Sequence, residues 1–195
     1  MVGRAETARL IAVTSAASPP PVRRPALFLD RDGVLNEDRG YVHRWADFSW
    51  IPGAKAAIVA FNRAGWLVFV VTNQSGVGRG YYSEADVLRL HEMMADALLE
   101  AGGRVDAFYY CPHHPDAAEP RYRHPDPPDR KPNPGMLLRA MAEWPVDVAR
   151  SLMVGDKDGD LEAGRRAGVR SLRFEGGNLL EFLGPELPKL TSGDD

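Results

Sequence analysis

Apolar residues occur along this chain in short runs that stop abruptly at polar ones, and between the runs as stripes at helical spacing. The run 26–29, Ala-Leu-Phe-Leu, ends at Asp30, as a strand buried on both faces does. Pro52-Gly53 introduces a predicted helix over 54–64, closed by Gly65. The β-branched and aromatic run 66–71 reads as a second buried strand, finishing at Thr72-Asn73. Ser83 with Asp86 has the form of a capping box. Val87, Leu90, Met94, Ala97, Leu98 and Ala101 follow at helical spacing until Gly102-Gly103. Further strands are predicted over 105–110, 151–154 and 169–174. Further helices are predicted over 135–143, behind Pro134, and over 161–167, stopped by Gly168. Between them, 112–134 is rich in Pro, His and Asp, a long irregular loop of the kind that is functional or mobile in a compact domain.

Strands alternating with helices imply an α/β fold, a three-layer Rossmann-like parallel sheet with helices on both faces. Ligands of such sheets bind beyond the carboxyl ends of the strands. Four strand ends or following loops here carry polar groups: Asp30/Asp32, Thr72/Asn73, Lys131 and Asp156/Asp160. One domain is expected over 26–185, with a disordered tail over 1–25, where three prolines follow one another, and a flexible tail over 186–195. The intervals between the polar strand ends are filled by single loops, helices and strands, so no large cap domain is expected and the site should be open.

Composition narrows the function classes. A length of 195 residues with 44% hydrophobic and 26% charged residues suits one globular domain with a real core. The net charge of −3 argues against a nucleic-acid surface. No apolar run reaches the ~20 residues needed to cross a bilayer, so no membrane partner is expected. A single cysteine, Cys111, excludes an internal disulfide framework and fits a reducing compartment. A cytoplasmic monomer is the expectation.

Asp30 and Asp32 carry the sharpest chemical signal. Residues two apart in an extended segment point the same way, so both carboxylates can face one cleft. At ~4 Å and an effective dielectric of ~20 they repel by about 4 kcal/mol, which calls for a cation or a shared proton. Asp156, at the end of another strand, offers a third oxygen ligand, and such oxygen-rich sites suit magnesium. An isolated Asp-x-Asp-Gly is as readily a solvated turn. Gln74 to Gly80 reads as a glycine-rich loop whose N–H groups can surround a phosphate, or as a plain flexible linker. Lys131 can neutralise a phosphoryl oxygen, although a loop lysine is usually a solvated charge. Asp156 and Asp160 can equally be ordinary acidic residues at a helix start.

The segments Asp30-Arg31-Asp32-Gly33-Val34, Val71-Thr72-Asn73-Gln74-Ser75-Gly76, Arg130-Lys131-Pro132 and Gly155-Asp156-Lys157-x-x-Asp160 together resemble the four motifs of the haloacid dehalogenase superfamily. Gly40-Tyr41-Val42-His43 and Tyr109-Tyr110-Cys111-Pro112-His113-His114-Pro115 extend the likeness to its heptose 1,7-bisphosphate phosphatases and histidinol-phosphatase domains. The resemblance implies a magnesium-dependent phosphatase with Asp30 as nucleophile and Asp32 as general acid, then base. It implies that Thr72 and Lys131 bind the transferring phosphoryl group, and that Asp30, the Asp32 carbonyl and Asp156 hold Mg2+. It further implies that Asp38, Arg39, Gly40, Tyr41, Asn73, Gln74, Ser75, Arg130 and Lys157 contact a small phosphorylated sugar.

One departure stands out. The heptose enzymes carry a structural zinc on a Cys-x-His pair and a later Cys-x-Cys pair. Here Cys111-Pro112-His113 supplies the first half, while Pro127-Pro128-Asp129 stands where the second would be. Structural zinc normally wants four N or S ligands, so Cys111 and His113 read as a vestigial half-site and zinc is not expected. The loop prolines can stiffen it instead. Trp45, Phe48 and Trp50 are expected to pack the loop after the first motif, and His91 to be structural. His43 is read either as a substrate-loop contact or as solvated. Alternatives to the heptose substrate are histidinol phosphate or another small metabolite; a phospho-acceptor signalling module and a catalytically dead interaction protein are the non-enzymatic readings.

Overall fold

The computed structural model describes residues 22–187. Five strands form one parallel sheet: β1 (Arg24–Leu29), β2 (Leu67–Asn73), β3 (Ala107–Cys111), β4 (Val146–Gly155) and β5 (Arg170–Arg173), in the order β3-β2-β1-β4-β5. Six helices accompany it: α1 (Ala54–Arg63), α2 (Ser75–Gly78), α3 (Glu84–Glu100), α4 (Gly135–Glu143), α5 (Asp158–Arg166) and α6 (Leu179–Leu183). Alternate strand residues enter two cores. Leu27, Leu29, Val68, Val70, Leu152 and Val154 pack with α1, α3 and α6, whereas Ala26, Phe28, Phe69, Val71 and Met153 pack with α4 and α5. Both faces are therefore covered, which is why the central strands read as unbroken apolar runs.

The predicted elements occur in the predicted order, with α2 and α6 added and the largest changes of extent at β1, β4 and the start of α5. β1 begins at Arg24, inside the expected tail; positions 1–21 and 188–195 of the two expected tails lie outside the described residues. β4 runs five residues further back than the apolar pattern indicated, because Val146 and Asp147 pair with Arg24 and Pro25. The register shifts between Pro25 and Leu27, and the Ser151 hydroxyl accepts the Ala26 N–H there at 2.9 Å. Such an irregularity suits a proline, which has no N–H for the ladder. α6 had no counterpart in the sequence pattern. Asn178 caps it by accepting the Leu180 N–H at 3.0 Å, and its packing against α1 supplies the stability that five residues lack alone.

Ser83 and Asp86 form the expected capping box at the start of α3. Trp45 stacks on Phe48, which meets Trp50 edge-on, and all three pack against the first core, as expected of loop-packing aromatics. His91 on α3 is buried and stacks on Phe108 with centroids 4.6 Å apart. No helix of the described residues is long and apolar enough to cross a membrane.

Burial pushes the His91 imidazole down to about 3 from its usual 6.5. Below ~6.5 the unfolded chain therefore binds a proton that the folded one refuses, and stability falls as pH falls towards 3. Between pH 7.5 and 5 this single group accounts for about 2 kcal/mol. Urea unfolding of His91→Phe is expected to lose about 2 kcal/mol less than the parent protein over that interval; identical slopes would rule the assignment out.

Candidate active site

Leu29 lies level with Val70 on one side and Val154 on the other, so the segments after β1, β2 and β4 emerge together at one end of the sheet. Asp30 leaves β1 with its N–H still bonded to the Val154 carbonyl at 2.9 Å. The chain then turns tightly, with Gly33 at φ 94° donating to the Asn36 carbonyl at 2.7 Å. A side chain at position 33 would run into the Asp156 carboxylate, so glycine is required both for conformation and for that close approach.

Lys131 reaches this point from the 112–134 loop and is buried with its ammonium among acceptors. Its Nζ lies 2.8 Å from Asp30 Oδ1 and 2.6 Å from Asp160 Oδ1, and donates to the Val71 carbonyl at 2.8 Å. Its backbone is clasped by the Asn73 amide in two 3.0 Å hydrogen bonds, N–H to Oδ1 and Nδ2 to the Lys131 carbonyl. The neighbouring carboxylates outweigh the cost of burial and hold the lysine above its ordinary pKa. Asp30 goes the other way from an ordinary carboxylate. Burial raises it to about 7, against the pull of Lys131, and the Asp160 charge adds to the rise.

Asp32 lines the same cleft as Asp30, as the alternation of an extended segment predicts. Its carboxylate accepts from Arg31 Nη2 at 2.8 Å, Asn36 Nδ2 at 3.0 Å and Gln74 Nε2 at 3.0 Å. Arg31 is fully buried and also donates to the Val42 carbonyl at 2.6 Å, so it ties the first motif to the loop that follows. Gln74 Nε2 donates in addition to Thr72 Oγ1 at 2.9 Å, which brings Thr72 into the same network.

The cleft above these groups measures about 440 Å³ and is also lined by Asp38, Gly40, Tyr41, Asn73, Ser75, Arg130 and Lys157. Lys157 bridges Asp38 at 2.9 Å across the mouth, which lowers the Asp38 carboxyl and raises the lysine. Arg39 is the exception among the expected contacts. Its exposed guanidinium pairs with Glu37 at 2.6 Å, two residues back, and it does not line the cleft. The expected glycine-rich loop is also different: residues 75–78 form the helical turn α2, with Gly76, Val77 and Gly78 buried. Gly76 leaves room for the Tyr82 ring, and a side chain at Gly78 would lie 2.7 Å from the Pro112 carbonyl. These glycines allow close packing rather than freeing amides for a phosphate.

The curated relatives include the D-glycero-beta-D-manno-heptose-1,7-bisphosphate 7-phosphatase of Rhodopseudomonas palustris, 47% identical over 165 residues, 83% of this chain and 89% of the relative. The chain belongs to the haloacid-dehalogenase-like phosphatases. Residues 129–179 match the HAD-hydrolase-like family model. Among solved structures, a HAD-like phosphatase of Mesorhizobium loti superposes with a TM-score of 0.78 at 37% identity, covering 92% of both chains. The D,D-heptose 1,7-bisphosphate phosphatase of B. bronchiseptica, complexed with magnesium and phosphate, gives 0.69 at 36% identity over 83% of this chain and 86% of that one.

In this phosphatase, ligand oxygens of Asp30, Asp156 and Asp160 lie within 4.8 Å of one another. At that spacing each like-charged pair repels by about 3–4 kcal/mol at an effective dielectric of ~20. Lys131 sits between Asp30 and Asp160, and Lys157 Nζ lies 3.7 Å from Asp156 while pairing with Asp38, so four carboxylates share two ammonium groups and, when all are ionised, two negative charges remain. Asp156 Oδ1 is buried without a hydrogen-bond partner, and burial raises its carboxyl. An all-oxygen donor set with excess negative charge and a free carboxylate oxygen fits Mg2+. Asp160 stood in the fourth motif of the sequence, with no role assigned to it beyond that of a helix-start acid. Its second oxygen accepts the Lys157 N–H at 3.0 Å, so both of its oxygens hold protein groups in place.

The 112–134 loop is anchored by Glu84 at the start of α3, whose carboxylate accepts from the Tyr110 phenol at 2.5 Å and from the Tyr122 phenol. Arg79 reaches His114 Nε2 at 3.0 Å, Arg139 holds Asp129 at 2.7 Å, and Arg130 donates to the His113 carbonyl at 3.3 Å. Cys111 is buried at the end of β3, its Sγ 3.9 Å from His113 Nδ1, and burial pushes its thiol up. Of the remaining histidines, His43 stacks on Tyr82 at 4.6 Å and bonds the Tyr41 carbonyl through Nδ1 at 2.8 Å.

Lys131→Met, in metal-free buffer, is expected to lose about 3–5 kcal/mol in denaturant unfolding, because it strands buried carboxylates without their cation. Glu84→Gln removes the anion that two phenols share and is expected to cost about 2 kcal/mol. The tyrosine bonds hold Glu84 below its ordinary pKa, so its contribution is present above ~4.5 and is lost as pH falls further. Melting curves at pH 7 and pH 4 check this: the gap between variant and parent should be smaller at the lower pH.

Proposed function

We propose that this phosphatase removes the 7-phosphate of D-glycero-D-manno-heptose 1,7-bisphosphate through a phospho-Asp30 intermediate. The observation that carries the reading is the buried Asp30–Lys131–Asp160 group at the floor of an open cleft, in a chain whose similar relatives are named for that reaction.

A phosphate monoester is among the slowest biological bonds to hydrolyse, so positioning and charge neutralisation must supply most of the acceleration. A carboxylate oxygen of Asp30 attacks phosphorus while the bond to the sugar oxygen breaks. The leaving oxygen takes the Asp32 proton. Asp32, now ionised, removes a proton from water, whose oxygen attacks phosphorus and displaces Asp30 as carboxylate. The Lys131 ammonium and the Thr72 hydroxyl meet the phosphoryl oxygens, and Asn73 fixes the backbone of Lys131 for that task. Asp30, the Asp32 carbonyl and Asp156 would hold magnesium, which offsets negative charge on the transferring group. Asp38, Gly40, Tyr41, Ser75, Arg130 and Lys157 shape the mouth that receives the sugar. Zinc has no role in this reading, since protein contacts brace the loop that carries Arg130 and Lys131.

A substrate bearing an amine, such as histidinol phosphate, calls for an unpaired carboxylate near the mouth. Asp38 is neutralised by Lys157 and Glu37 by Arg39, which disfavours it.

Phosphate release should be highest, as kcat/KM, on the heptose bisphosphate when compared with histidinol phosphate and common sugar phosphates. Chelation should abolish turnover, and Mg2+ added alone, without zinc, should restore it. Asp30→Asn and Asp32→Asn should each lower kcat by at least ~10³-fold with the fold intact. Near-normal turnover by Asp30→Asn, with reversion by deamidation excluded, would end the mechanism.

A further inference from the structure

Asp32 is held from one side by Arg31 and Asn36 and from the other by the buried Gln74 amide, whose Nε2 lies 3.0 Å from Asp32 Oδ2. Ionised Asp32 only accepts hydrogen bonds and holds the amide nitrogen here, but as the acid it carries an O–H of its own and no longer decides which way the amide faces. On the far side Gln74 Oε1 accepts the Tyr82 phenol at 2.7 Å. The ring of Tyr82 has little freedom. It stacks on His43 with planes 12° apart, and it fills the space that the absent side chain of Gly76 leaves. Burial raises the phenol to about 12, so it keeps its proton as a donor throughout the working pH range. Both Gln74 and Tyr82 are buried, so the amide oxygen has no solvent donor to turn to instead.

We infer that Tyr82 is a positioning residue for phosphoryl transfer: its O–H fixes which way the Gln74 amide faces, and the amide in turn aims the Asp32 carboxyl at the leaving oxygen. The inference rests on the reading of Asp32 as the acid. Without the O–H, Gln74 Oε1 is buried with no donor, and while Asp32 carries its proton the flipped amide can accept the Asp32 O–H instead. The flipped amide then holds the proton that the leaving oxygen needs, and its nitrogen no longer donates to Asp32 Oδ2. Asp32 stays in the cleft, but its aim is no longer determined.

Tyr82→Phe tests this, because it deletes one oxygen and keeps the ring that packs on His43 and Gly76. The probes are phenyl phosphate, whose leaving oxygen needs a proton, and p-nitrophenyl phosphate, whose leaving group departs as the anion. The parameter is kcat/KM, which reports steps up to transfer onto Asp30. General acid catalysis is worth 10²–10⁴-fold, so loss of aim is expected to cost about tenfold more on phenyl than on p-nitrophenyl phosphate. Asp32→Asn should show the same discrimination more strongly. In a Gln74→Ala background, Tyr82→Phe should add nothing, since its effect passes through the amide. Equal losses on the two esters, or full additivity with Gln74→Ala, would overturn the assignment of Tyr82. Absence of discrimination in Asp32→Asn itself would overturn both the acid and its positioning.

Discussion

Everything at the carboxyl end of the sheet is arranged around one buried ammonium. Lys131 lies between Asp30 and Asp160, and a third carboxylate, Asp156, stands close enough that the cluster keeps an excess of negative charge. Such a group is unstable unless every part of it is held, because an uncompensated buried charge costs several kcal/mol. The surplus charge also defines what the site accepts. A cation is welcome among the carboxylates, and a phosphoryl group can follow only when that charge is balanced.

The demands of this cluster run outward through the fold. Lys131 comes from a loop, not from a strand, so its position depends on the Asn73 amide at the end of β2 and on whatever steadies the loop. That steadiness comes from Glu84, two tyrosines and three arginines, spread over α3, β3, α4, the end of α2 and the loop itself. An acidic residue at a helix start thus does two tasks: it complements the helix dipole and it accepts the phenols that pin the loop. The parallel sheet makes the rest automatic, since β1, β2 and β4 lie side by side and end together.

A second chain of contacts starts at Tyr82 and ends at Asp32. Glycines that look like a phosphate-binding loop allow this chain to exist, by letting the Tyr82 ring and the Pro112 carbonyl approach the α2 backbone. The two networks meet at β2. Thr72 and Gln74 belong to one, Asn73 to the other, and their side chains alternate as a strand requires.

The order of elements, the parallel sheet and the residues that reach the cleft were legible in the sequence, because they depend on short-range patterns. Apolar runs ending on Asp30, Thr72 and Asp156 mark strand ends whatever the neighbours are. Pairing was not legible. The early part of β4, where Asp147 and Arg150 interrupt the apolar residues, is held as a strand by its pairing with β1, and α6 is a helix because α1 gives it a surface. Arg39 looked like a substrate contact and turned outward to Glu37, since a local partner two residues away competes with a distant one. Arg31 and Asp160 stood inside recognised motifs without a role of their own, and Glu84 and Tyr82 carried no recognisable signal, for the same reason. Each acts through a partner in another segment, and distance between segments is set by packing, which no single stretch of sequence contains.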